Sequence, residues 1–189
     1  MSLVELIAQA DERGLAVSGL ACLDRCVPLL GGDDEVLRPL WSSLAEDTGT
    51  GDWAQRLEEV RGTLDAAGDE DEDEAAALAH RMLAAAPARR SAAELRMWAD
   101  ACSVAALRIH RLLDGAAART DDADPVDACR AGRTDGMSPL VAAELRRQIA
   151  VLELLSAHGA TGLRGALEVS TEGRRVLRAA VSRRSRRND

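Results

Sequence analysis

The chain has 189 residues, 47% of them apolar, enough for one domain (or two small ones) with a real core. That core is almost wholly aliphatic, because there is no Phe or Tyr and only Trp41, Trp53 and Trp98. All 24 basic residues are Arg, and the net charge is −8. An acidic balance argues against a general nucleic-acid binder, no run approaches the roughly 20 apolar residues of a membrane span, and without Lys an ordinary P-loop cannot form.

The richness in Arg, Ala and Gly matches the codon bias of a GC-rich bacterial genome. Charge is unevenly placed. From Arg174 onward there are seven Arg and one acid, a balance of +6, against 17 Arg and 31 acids (−14) before it. The opening MSLVELIAQADERG has neither the basic nor the apolar region of a secretory signal. The expectation is a cytoplasmic protein with reduced thiols.

In chain order, Ser2 and Glu5 have capping-box spacing. They lead an apolar stripe of Leu3, Leu6, Ile7 and Ala10, with Gly14 as a stop. A second helix is expected from near Ser18, carrying Leu20, Leu23, Cys26 and Val27 and ending at Pro28 and Gly31-Gly32. A third, capped by Asp33 or Asp34, or else beginning at Pro39, runs to about Glu46. The segment 52–67 places Trp53, Leu57, Val60 and Leu64 on one stripe.

Next comes the acidic run Asp69, Glu70, Asp71, Glu72, Asp73 and Glu74. It reads as the first turn of a helix ending before Pro87, where carboxylates suit the helix dipole; the alternative is a docking patch for a basic partner or for the Arg tail. The clearest helix is Ser91–Asp114. Ser91 and Glu94 cap it, and Leu95, Trp98, Cys102, Ala105, Ala106, Ile109, Leu112 and Leu113 share one face. At roughly 33 Å it is expected to be the strut on which the rest packs.

Beyond it, 116–137 reads as a polar loop with one short helix, Asp124-Pro125 at its start and Gly132 at its end. Ser138-Pro139 opens a long helix that Gly159 closes. The segment 163–184 is expected to break near Ser170, because Gly165 and Gly173 weaken it, and the last residues are expected to fray. The whole reads as an all-α protein, an irregular bundle or a short stack of antiparallel helix hairpins with about seven to nine helices. Residues 1–173 form one helical domain, with a weak subdivision at 115–137, and 174–189 form an Arg-rich helix end and tail.

Residues 135–160 resemble a single ankyrin repeat. Asp135-Gly136 and Ser138-Pro139-Leu140 stand at the family's turn and Thr-Pro-Leu signature. Val151, Leu154 and Leu155 stand in its second apolar helix, and His158-Gly159-Ala160 at its closing His-Gly-Ala. The resemblance implies a protein-binding role without catalysis.

The chemistry candidates are few. Cys22 and Cys26, four apart on one helix, could offer two thiolates to a metal with Cys102 or a His, or serve as small core residues. His110 precedes Asp114 by four, the spacing of a His–carboxylate pair for acid–base work, or of a charge contact at a helix end. Asp121, Asp122 and Asp124 could bind a divalent cation, though without the glycine and distal Glu of an EF-hand, or form a solvated loop that caps the next helix. The strongest functional hint is Arg183, Arg184, Arg186 and Arg187, which suit an acidic protein face or nucleic-acid phosphate, although no interleaved aromatics favour single strands.

The expectation is a non-enzymatic helical interaction protein, adaptor or regulator, whose partner is another protein. It meets that partner through the acidic run, the Arg cluster or both, with no cofactor, metal or membrane. The alternatives are a regulator touching nucleic acid through the Arg tail, and an enzyme with a site between helices.

Overall fold

The computed structural model describes residues 1–46, 50–65, 73–114 and 125–188, and among them every regular element is helical. These are α1 (Leu3–Gln9), α2 (Glu12–Arg25), α3 (Arg38–Glu46), α4 (Thr50–Asp65), α5 (Glu74–Ala84), α6 (Ala92–Leu113), α7 (Pro125–Arg130), α8 (Pro139–His158) and α9 (Leu163–Asn188). Short 3-10 turns occupy Val27–Leu29 and Gly159–Gly162. The protein is an all-α bundle.

As expected, α6 is a strut for the bundle, packing on α2, α5, α8, α1, α7 and α9, and beside it α2 is a second hub. Leu15, Val17, Leu20 and Leu23 are wholly buried and the small residues between them are buried too, so α2 is enclosed around its full circumference, with charged Asp24 and Arg25 buried at its end. It packs on α6, α8, α9 and α3. In contrast, α6 keeps Arg96, Met97 and Arg108 on an exposed side. An apolar stripe on one face identifies a helix with neighbours on one side; a helix apolar all round must be enclosed.

Local chemistry sets most of the boundaries. Ser2 and Glu5 form a complete capping box, with the Ser2 N–H donating to Glu5 Oε2 at 2.7 Å. Ser91 caps α6, Ser138 caps α8 with Pro139 in its first turn, and Gly159, at φ 53°, ends α8. Helix α3 starts one residue before Pro39, where a missing N–H costs no helical bond. Helix α2 begins six residues earlier than expected. Asp11 is its N-cap, accepting from the Gly14 N–H at 2.7 Å, so Gly14 lies in a first turn and is not a stop.

Helix α9 is continuous through Ser170 and on to Asn188. The Ser170 hydroxyl donates to the Ala166 carbonyl at 3.0 Å within the helix. Gly173 is a close-contact site: a Cβ there would sit 2.2 Å from Arg25 Cδ. The glycine that weakens the helix is the one that lets it lie against α2. On the other side of α2, Gly19 faces the Trp98 ring, where a Cβ would meet Cε3 at 2.6 Å. Trp98 in turn stacks edge-on against Trp53, with centroids 6.2 Å apart at 69°. The indole N–H groups of Trp53 and Trp98 donate to the Pro87 and Met82 carbonyls.

Candidate functional site

Two polar features stand out, one inside the bundle and one at its end. The inner one begins at Arg25, the last residue of α2. Its Nε and Nη2 donate to Glu144 Oε2 and Oε1 at 2.8 and 2.6 Å, a two-pronged pair with neither side chain exposed. Glu144 lies in the buried stripe of α8 between Val141 and Gln148. Gln148 Nε2 donates to Glu144 Oε1 and to the Ser103 carbonyl, while the Ser103 hydroxyl donates to Gln148 Oε1 at 2.7 Å. Arg130 of α7 donates from Nε to Ser103 Oγ and pairs with Asp100. One chain of hydrogen bonds thus ties α2, α8, α6 and α7.

Burial pushes the Glu144 carboxyl up, but Arg25, His110 and Gln148 together hold it below its usual range. His110 sits at the edge of this chain, fully buried. Its Nδ1 donates to the Ala106 carbonyl at 2.7 Å, and its Nε2 stands 3.5 Å from Glu144 Oε2. The imidazole therefore faces Glu144 of α8, not Asp114, whose backbone N–H bonds back to the His110 carbonyl. Burial lowers the His110 pKa, and Glu144 only partly counters this. The i,i+4 spacing suggested Asp114 because it is the neighbour along α6; the actual partner comes from another helix.

The four Cys are buried thiols. Burial pushes Cys22 up to about 12, with Cys26 and Cys102 also raised, so these groups stay protonated in the core. Among the described residues no group of three or more His, Cys, Asp or Glu is arranged to hold a metal. Asp121, Asp122 and Asp124 lie outside the described residues.

The second feature is an open cleft of about 840 Å³ where α6 ends, α8 begins and α9 runs past both. Helices α8 and α9 are antiparallel neighbours of 20 and 26 residues. The last turns of α9 therefore overhang the start of α8 by roughly 9 Å. Leu113, Leu140, Ala143, Val176 and Ala180 line the floor, and Arg147, Arg183, Arg186 and Arg187 line the rim. Asp114 is the one carboxylate among the described residues lining it.

The Arg cluster is divided by the helix it lies on. Arg183 and Arg187 continue the face of Val176 and Ala180 and reach the cleft with Arg186. Arg184 points to α5, where its Nη1 lies 3.2 Å from Asp73 Oδ2. The acidic run and the Arg tail therefore meet at that pair. Asp73 is also the N-cap of α5, accepting from the Ala76 N–H, and Glu74 lies in the first turn. Asp69, Glu70, Asp71 and Glu72 lie outside the described residues.

Two further pairs fasten α9. Arg174 Nη1 donates to Asp24 Oδ1 at 2.9 Å and to the Asp34 carbonyl at 2.6 Å, and Arg178 pairs with the Asp34 carboxylate. Thus Arg174, Arg178 and Arg184 hold the helix, and Arg183, Arg186 and Arg187 remain for the cleft. Arg147 escaped the sequence reading because it lies on α8, 36 positions before Arg183. The stripe Val176, Ala180, Arg183, Arg187 has helical spacing of four, three and four, which the expected break and fraying of this segment hid.

No family model matches the chain, and neither the curated proteins nor the solved structures compared with it yield a match.

Proposed function

We propose that the chain is a non-enzymatic helical interaction protein and that the α6/α8/α9 cleft is where it meets an acidic surface of another protein. The observation that carries this reading is the cleft's composition: Arg183, Arg186 and Arg187, with Arg147 that also lies 3.8 Å from Glu172, around an aliphatic floor, and one carboxylate among the described lining residues. Apolar floors ringed by charge are typical of docking patches, with Arg enriched among the anchoring residues. The titratable groups that would serve catalysis, His110 and the thiols, are enclosed in the core and do not line the cleft. A nucleic acid is the weaker fit, because the floor offers no aromatic face on which a base can stack.

The test is capture from a nuclease-treated lysate of the source cells, using the full-length protein, the charge-reversed R183E/R186E/R187E variant, and R164E/R175E, which reverses two exposed Arg away from the cleft. The expected result is a protein partner retained by wild type and R164E/R175E and lost by the cleft variant. Retention by all three, or capture that nuclease abolishes, overturns the reading. Truncating the tail is a poorer test, since removing α9 beyond Glu172 also removes the Arg174 and Arg178 pairs and buried Leu177.

A further inference from the structure

We infer that the occupant of the cleft is an acidic amphipathic helix from a partner protein, lying between the start of α8 and the overhanging turns of α9. This rests on the interaction reading above and names its ligand class. The walls are helices, and among the described residues lining the cleft the last turns of α9 contribute Arg183, Arg186 and Arg187 beyond the start of α8. An incoming helix packs on such a surface at 8–10 Å between axes, its ridges entering the grooves between side chains.

The order of residues on the walls is the second argument. On α9, aliphatic Val176 and Ala180 give way to Arg183 and Arg187. On α8, Leu140 and Ala143 give way to Arg147. Because the helices are antiparallel, Arg147 stands at one end of the aliphatic stretch and the α9 Arg at the other, the α9 residues keeping helical spacing. The complement is a helix with apolar residues at i, i+3, i+4 and i+7 and Asp or Glu on the bordering positions. Its carboxylates accept from Arg183, Arg186 and Arg187, while its apolar stripe covers Leu140 and Val176. The aliphatic floor would gain nothing from a phosphate backbone, and Asp114 would repel one.

The test is selection of a displayed library of random 18-residue peptides on immobilised full-length protein, followed by anisotropy of the enriched peptides with wild type, R183E/R187E and L140Q. A random 18-nucleotide single strand is titrated alongside. Enriched sequences are expected to carry apolar residues at helical spacing bordered by Asp or Glu. They should bind R183E/R187E at least tenfold and L140Q at least threefold more weakly than wild type, both variants retaining the wild-type circular dichroism.

Scrambled peptides that bind as well as the ordered ones would overturn the helical occupant while leaving the lysate result to decide the interaction reading. No enrichment, or equal affinity for all three proteins, would likewise overturn it. An oligonucleotide that binds tighter than every peptide would overturn both readings together.

Discussion

Arg25 and Glu144, 119 positions apart, meet in a two-pronged ion pair with no exposed surface on either side chain. Removing both charges from water costs several kcal/mol, which the pair recovers only through good geometry and further hydrogen bonds. Here Gln148 supplies a third donor to Glu144. Breaking the pair is therefore expected to be far worse than replacing it. Glu144→Ala or Arg25→Ala should each lower unfolding stability by about 3–5 kcal/mol. The double replacement R25M/E144L should cost much less than the sum. Urea unfolding of the three variants measures the coupling; equal and additive losses would contradict it.

The same region sets the response to pH through two groups of opposite sign. Burial raises Asp24 to about 6, above its ordinary 3.8, despite the nearby Arg174 and Arg25. Between about pH 6 and 4 the folded protein takes up a proton that the unfolded chain does not, so acidification through this window stabilises the fold by way of Asp24. His110 acts oppositely. Its folded pKa lies below 6.5, so the unfolded chain protonates first and stability is lost as pH falls below 6.5. The carboxyls held low, Glu144 and Asp34, act only below their own ordinary range. The change in wild-type stability from pH 7 to pH 5 should therefore lie between those of the Asp24→Asn and His110→Gln variants. Asp24→Asn should show a fall over that range and His110→Gln a rise, read as urea midpoints at pH 7, 6 and 5. Parallel curves for the two variants would refute the assignment.

Gly173 and Gly62 are both helical glycines with opposite expected responses to Ala. At Gly173 a Cβ meets Arg25 Cδ at 2.2 Å and Arg147 Cδ at 3.1 Å, so Gly173→Ala should destabilise by about 1–3 kcal/mol by displacing α9 or the Arg25 side chain. At exposed Gly62 nothing lies within 4 Å, and Gly62→Ala should stabilise by about 0.5–1 kcal/mol through helix propensity. Thermal melts of the two variants should move in opposite directions.

Asp73 has two roles of unequal weight. As the cap of α5 it satisfies a backbone N–H, and its loss to Ala should cost about 1 kcal/mol. Its partly exposed pair with Arg184 should contribute only about 0.2–1 kcal/mol. Arg184→Ala should thus be milder than Asp73→Ala, and half-molar salt should remove most of the cost of the former but only the ion-pair share of the latter. Chemical denaturation at two salt concentrations separates them.

The thiols give a simple check on the core. With all four Cys buried and Cys22, Cys26 and Cys102 raised by burial, the native protein should react slowly with a thiol reagent, and four equivalents should react promptly after unfolding. Rapid native reaction at more than one site would show that the core opens more readily than its packing implies.

The amino-acid sequence by itself determined the helical class and most helix ends, because those depend on residues within one turn of each other. Ser2 with Glu5, Ser91 with Glu94, and Ser138-Pro139 with Gly159 act through the nearest backbone groups, so spacing alone reveals them. It also showed the Arg-rich end, but as a frayed tail, whereas α9 carries it as helix to Asn188. Tertiary structure decided what those elements face. Only packing shows that α2 is a second hub, that Gly173 makes room for Arg25, and that His110 faces Glu144 and not its own helix neighbour Asp114. It is packing, too, that sends Arg184 to Asp73 while Arg183 and Arg187, on the same helix, border the cleft. The physical reason is one of range: capping and periodicity are local, whereas a buried charge is tolerated only where another element brings its partner, and that partner can lie anywhere in the chain.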